Sequence, residues 1–101
     1  MAKKIKPITP GEILLEEFMV PYEISQNKLA RDLDVPVGRI NDIVKGKRAI
    51  TTDTALRLSI YFATTAEFWL NLQNNFELKL AERELKPRLQ KAVRPYRKQV
   101  A

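Results

Sequence analysis

The sequence predicts an all-α fold, and three observations predict it. The composition favours helices, with only three Gly in 101 residues and Leu, Ala, Glu, Lys and Arg abundant. Apolar residues recur at helical spacing along the chain, and no segment shows sustained alternation of apolar and polar residues or an internal repeat. Residues that start and stop helices punctuate these stretches. The length suits one domain and is too short for two, and a 45% hydrophobic content can supply a core.

Residues 1–8 read as an N-terminal arm. At Thr9-Pro10-Gly11-Glu12, Thr9 can cap a helix, Pro10 suits its first position and Glu12 completes a capping box. A first helix should run to about Val20 and stop at Pro21, with Leu14, Leu15 and Phe18 facing a core and Glu12, Glu16 and Glu17 forming an acidic stripe. Ser25 caps a second helix, Gln26–Leu33, with Leu29, Ala30 and Leu33 buried. Asp34-Val35-Pro36 is a tight turn. A third helix runs from about Val37 to Lys45, with Ile40, Ile43 and Val44 inward, and Gly46 ends it in the left-handed conformation. Thr51 or Thr52 caps a fourth helix to about Phe62, with Ala55, Leu58, Tyr61 and Phe62 in the core. Thr64 and Glu67 read as a second capping box. The fifth helix is long, about Ala66–Lys86, with Phe68, Trp69, Leu72, Phe76 and Leu80 apolar; Pro87 ends or kinks it. Residues 88–101 hold few apolar side chains and no acids, and are expected to be disordered or only partly helical. The division is therefore an arm at 1–8, a helix-turn-helix domain at 9–86 and a basic C-terminal tail at 87–101.

Composition removes several kinds of function. Without Cys there is no disulfide and no thiolate chemistry, which fits a reducing cytoplasm. Without His the commonest general acid/base and transition-metal ligand is gone. No apolar run approaches the ~20 residues that span a bilayer, and the basic residues near Met1 have no apolar stretch behind them, so they make no signal peptide. There is no Gly-rich phosphate loop, no Ser/His/Asp set and no metal cluster, because the acids are scattered over separate elements. No catalytic residue, cofactor or metal is expected. The net charge of +6 is unevenly placed: residues 25–50 hold six basic and three acidic side chains, and residues 85–101 hold six basic and none acidic. Both segments are candidate phosphate-binding surfaces.

Two short helices joined by a three-residue turn, the second ending in Gly46-Lys47-Arg48, form a helix-turn-helix pattern. Ala30 is small where the helices should cross, Val35 is apolar in the turn, and Ile40 and Ile43 clamp the second helix to the first. The turn position four after Ala30 usually holds Gly in this motif and here holds Asp34, which tolerates the left-handed region better than most residues.

Pro10-Gly11-Glu12-Ile13-Leu14, Ser25-Gln26 with Leu29-Ala30, Arg39-Ile40-Asn41-Asp42-Ile43, Gly46-Lys47-Arg48 and Ile50-Thr51 together resemble the HigA antitoxin family of xenobiotic-response-element-like helix-turn-helix proteins. So do Asp53-Thr54-Ala55-Leu56-Arg57-Leu58 and Glu67-Phe68-Trp69-Leu70-Asn71-Leu72-Gln73, the most family-specific block. The resemblance covers roughly residues 8–84. It implies a five-helix, lambda-repressor-like DNA-binding domain that forms a homodimer, binds an inverted-repeat operator in its own promoter and neutralises a toxin, a ribosome-dependent mRNA endonuclease. A stand-alone repressor without a toxin is the alternative; a neighbouring reading frame for a small basic protein separates the two. A ribonuclease toxin is a third reading, and the lack of strands and of His argues against it.

The face of the third helix opposite Ile40, Ile43 and Val44 holds Gly38, Asn41, Asp42 and Lys45, flanked by Val37 and Arg39. This face should enter the major groove of double-stranded DNA. There Arg39 suits guanine, Asn41 suits adenine and Val37 suits a thymine methyl, while Asp42 would repel phosphates or accept from a cytosine amino group. Gln26 should meet a phosphate or a base, and Lys45, Lys47 and Arg48 should meet phosphates. Phe68 and Trp69 are expected in the core or a dimer interface rather than on a base-stacking platform.

Overall fold

A computed structural model describes residues 6–97, and those residues hold helices and no strand. The first turn, α1 (Pro10–Ile13), begins as the sequence dictates. Thr9 is extended, its hydroxyl accepts the Glu12 amide at 3.1 Å, and the Glu12 carboxylate accepts the Thr9 amide at 3.2 Å. The helix does not continue as plain α-helix to Val20. It winds into a π-helical segment, Leu14–Met19, closed by Val20 N–H to Leu15 C=O at 2.8 Å; a further five-residue closure joins Ile24 N–H to Met19 C=O. Residues five apart lie on different faces of an α-helix, but the wider π turn brings them back towards one side. Leu14 and Met19 are accordingly both buried, and Met19 joins a core from which the sequence reading omitted it.

The second helix, α2 (Gln26–Leu33), has the expected bounds, and the Ser25 hydroxyl accepts the Lys28 amide at 3.0 Å. Asp34 sits at φ 59°, ψ 49°, the left-handed conformation expected for this turn. Val35 N–H then reaches back to Ala30 C=O at 3.0 Å and satisfies a carbonyl the helix end would otherwise leave open. The third helix, α3 (Val37–Val44), ends the same way: Gly46 lies at φ 76° and Lys47 N–H bonds Asp42 C=O at 2.8 Å. Thr51, not Thr52, caps α4 (Thr52–Phe62), which closes on a left-handed Ala63.

Two expectations near the fifth helix are corrected. Thr65 rather than Thr64 caps α5 (Ala66–Glu84), accepting the Phe68 amide at 3.1 Å. The Thr64 hydroxyl is already engaged, taking the indole N–H of Trp69 at 2.8 Å, while its own amide closes α4 on Ser59 C=O. The helix also ends before the expected Lys86, and of the two outcomes expected at Pro87 the chain kinks rather than stops. The break falls at Leu85, and Pro87 occupies the first turn of a sixth helix, α6 (Lys86–Ala92), where a missing N–H costs nothing. The stretch expected as tail is therefore helical to Ala92; residues 1–5 of the expected arm and 98–101 of the expected tail lie outside the described residues.

The core joins Leu14, Met19, Leu29, Leu33, Ile40, Ile43, Ile50, Ala55, Leu58 and Trp69. Phe18 and Phe62 pack their rings against Trp69, with centroids 4.9 and 6.2 Å away. Trp69 is fully enclosed whereas its neighbour Phe68 stays more than a third exposed, so the two aromatic residues part company. Gln73 is buried and satisfied: its Oε1 accepts the Ile50 amide at 2.9 Å and its Nε2 donates to Glu77 at 2.8 Å. It ties the segment before α4 to α5, a role its polar character hid in the sequence.

Candidate nucleic-acid interface

The inward residues of α3 determine what it shows outside. Ile40 and Ile43 have essentially no exposed surface, and Val44 is half-buried against the same core. The rest of the helix must then face out. Val37, Gly38 and Lys45 are exposed, and Arg39, Asn41 and Asp42 are partly so. Lys47 and Arg48 follow the helix end and are exposed as well. With Lys45 they place three cations where the carbonyl end of the helix favours positive charge. Gln26, at the first position of α2, is partly buried. Every residue expected to form the site thus lies on α2, on α3 or in the turn after α3.

The second and third helices are held at their crossing by small size and by a neighbour. Ala30 is buried, and Val35 packs partly into the core from the turn. From below, Gly11 of α1 lies against the backbone of α3: a Cβ there would fall on the carbonyl oxygen of Ile43 and within 3.0 Å of Val44 Cα. By contrast, a Cβ at Gly38 would meet nothing within 4 Å. The same helix is locked on one face and open on the other.

Side chains of α4 complete the fixing, and these were missed in the sequence. Arg57 Nη1 donates to the carbonyls of Leu33 and Asp34 at 2.7 and 3.2 Å, across the turn of the motif. Its Nε donates to Asp53 Oδ2 at 2.9 Å, and the same oxygen accepts from Arg39 Nη1 of α3 at 2.7 Å. The Asp53 carboxyl is held below its ordinary range, first by the bond from Arg57 and then by that from Arg39. On the other side, Tyr61 donates its hydroxyl to Asp32 at 2.8 Å, and Lys28 pairs with the same carboxylate at 2.9 Å. Lys28 and then Tyr61 hold Asp32 low, and the tyrosine hydroxyl is pushed up in turn by its bond to Asp32. Folding lowers both carboxyls, so these pairs act at full strength above the ordinary value of 3.8 and weaken as pH falls below it. The Asp53–Arg57 spacing of four is a helix-pair signal legible in the sequence; their reach to α3 and to the turn is not.

A short helix crossing another at a tight left-handed turn, with its outer face open and basic at its end, defines a helix-turn-helix protein. The comparisons agree. The family model described as Helix-turn-helix matches residues 15–69. The chain is 51% identical over 77 residues to Virulence-associated protein I of Dichelobacter nodosus, covering 76% of this chain and 71% of that one. It is 32% identical over 75 residues to antitoxin HigA-1 of Vibrio cholerae, covering 74% and 70% of the two chains. In structure it is similar to the Pseudomonas aeruginosa antitoxin HigA solved with the higBA promoter, with a TM-score of 0.87, 42% identity and coverage of 90% of this chain and 99% of that one. The chain belongs to the helix-turn-helix family and, within it, to the HigA antitoxins.

Among the described residues no helix is long and apolar enough to cross a membrane.

Proposed function

We propose that this protein is a DNA-binding antitoxin that represses its own promoter and neutralises a toxin, the ribosome-dependent mRNA endonuclease that the HigA resemblance implies. The observation that carries the DNA half of the reading is the open face of α3, presented by a helix whose other face seats Ile40 and Ile43 in the core. The similar Pseudomonas protein was solved with its promoter, which supports the same reading. In it, Val37, Gly38, Arg39, Asn41 and Asp42 face base edges, and Gln26, Lys45, Lys47 and Arg48 meet phosphates or the rim of the groove. The protein acts by binding rather than by catalysis, uses no cofactor or metal, and works in the cytoplasm. Residues 9–86 form the domain that reads DNA, and the basic residues beyond it add charge.

A single reading helix buries too little surface for high specificity, so the protein acts as a homodimer on an inverted repeat, with half-sites ~34–36 Å apart. The outer side of α5, where Leu78 is exposed beside the half-buried Ala81, supports this.

Titration of the protein on the DNA upstream of its own gene and on a scrambled duplex, at several salt concentrations, tests the DNA reading. Discrimination of at least a thousandfold is expected. Equal affinity for both duplexes at every salt concentration would sink it. Co-expression with the neighbouring basic reading frame tests the toxin. Relief of growth arrest is expected, and no relief with operator binding intact would leave a stand-alone repressor.

A further inference from the structure

We propose that Asp53 is a positioning residue that sets the sequence specificity of DNA reading, by holding Arg39 with one edge of its guanidinium turned to the groove and the other bound to α4. This inference rests on α3 being the base-reading helix.

The geometry makes one connected path. The carbonyls that end α2 accept from Arg57, Arg57 donates to Asp53, and Asp53 accepts from Arg39 on the first turn of α3. That turn is closed by the backbone alone, Arg39 N–H bonding Pro36 C=O at 3.0 Å, and no side chain caps it. The orientation of Arg39 is therefore set from α4, fourteen residues away in sequence. An arginine on an exposed helix start has many rotamers, and a guanidinium that must pair with the two acceptors of guanine needs one of them. Arginine carries five N–H donors, and the bond to Asp53 engages only Nη1. The remaining edge keeps enough donors for a forked pair with a base.

The carboxylate also acts against the wrong ligand. Asp53 is more than half exposed beside the open face of α3. Its negative charge offsets Arg39 and Arg57, so these two arginines attract any phosphate backbone less than they would alone. Base reading is favoured by orientation while sequence-independent binding is weakened by charge, and specificity is the difference between the two.

The test uses the full chain, a duplex selected by the wild-type protein from a random-sequence pool, and a scrambled duplex of the same composition. Asp53→Asn should tighten binding to the scrambled duplex severalfold and raise its salt slope by up to about one. It should also lower the ratio of selected to scrambled affinity about tenfold, at the base pairs that Arg39→Ala affects. In the double variant Arg39→Ala with Asp53→Asn, the ratio should fall no further than with Arg39→Ala alone. Asp53→Glu keeps the charge but displaces the carboxylate. It should leave scrambled binding within about twofold of wild type and still lose part of the ratio. Melting followed by circular dichroism should move little for each, because the pairs are exposed. A purely structural role would lower both affinities together and leave the ratio unchanged; that result, or independent losses in the double variant, overturns the proposal. If the pool yields no enriched sequence, base reading itself fails and the role of Asp53 fails with it. An enriched duplex whose ratio survives Asp53→Asn overturns the role of Asp53 alone.

Discussion

The first turn and the last helix of this protein meet the rest of the molecule in opposite ways. Helix α1 touches α3 backbone to backbone at Gly11, leaving no room for a methyl group, and Pro10 and Gly11 are both buried. Helix α6 has no buried residue and packs chiefly on the end of α5. Among the described residues, every fully enclosed apolar side chain lies from Leu14 to Trp69. The pose of α3 is thus decided by the first two-thirds of the chain, where a small steric change propagates directly into it. The last third adds charge and exposed apolar surface but little that holds α3 in place.

The sharpest way to break this contrast is Gly11→Ala. The added methyl meets the Ile43 carbonyl, which is backbone and cannot swing aside as a side chain would. The substitution should destabilise by ~3 kcal/mol, a loss of about 15 °C in melting temperature for a domain of this size. Gly38→Ala, facing open space on the same α3, should instead stabilise by up to ~1 kcal/mol through helix propensity. Thermal melts of the two variants side by side measure the difference. Equal effects would show that α1 does not hold α3.

How much of this was legible beforehand differs by kind of interaction. Capping at Thr9, Ser25 and Thr51, the left-handed Asp34 and Gly46, and the inward Ile40 and Ile43 are local or periodic, and sequence reading finds such features. The choice between Thr64 and Thr65 depended on where an indole ring comes to rest, which no local rule states. The π-winding of Leu14–Met19 and the burial of Gln73 likewise serve partners distant in sequence. At the candidate site the exposed residues were legible because they are what the core stripe leaves over. The Asp53 and Arg57 network was not, since it joins α4 to α3 and the turn through side chains whose reach only the fold reveals.

The next largest effect concerns the open face itself. Arg39→Ala or Asn41→Ala should cost ~1–3 kcal/mol on the operator and much less on scrambled DNA, because a base contact carries sequence information. Lys47→Ala should weaken both duplexes alike and lower the salt slope by about one, as a phosphate contact does. None should alter the fold, since all three side chains lie outside the enclosed core. Paired titrations at several salt concentrations separate the two patterns. Equal losses on both duplexes for Arg39→Ala and Asn41→Ala would remove these residues from base reading.

Asp34 sharpens the comparison at a smaller scale. It stands at φ 59° in the turn that joins α2 to α3. A side chain in this region carries a backbone cost that Gly does not. Asp34→Gly should therefore be neutral or stabilise by up to ~1 kcal/mol, whereas Asp34→Val should destabilise. Ala63, at φ 57°, lacks even the tolerance of Asp for this region, so Ala63→Gly should stabilise at least as much. Chemical denaturation of the three variants ranks them. A stabilised Asp34→Val would show that the turn does not need this conformation.

The smallest expected effect is on melting, and it comes from the other end of the contrast. Residues 88–101 carry five basic side chains and no acidic one. Among those described, all are exposed. A chain stopped after Pro87 loses no enclosed side chain, so its melting temperature should stay within about 2 °C of the full chain at a fixed protein concentration. Its affinity for DNA should nonetheless fall at low salt, and its salt slope should flatten, if these cations reach phosphates. The loss should be the same for operator and scrambled duplex, because charge alone does not read sequence. Two other results are informative against the contrast. A melting temperature that drops steeply, and more so on dilution, would mean that Leu89 and Val93 are covered by a second copy in solution and that the last third supports the fold after all. An unchanged salt slope would mean that the basic end stays clear of the DNA.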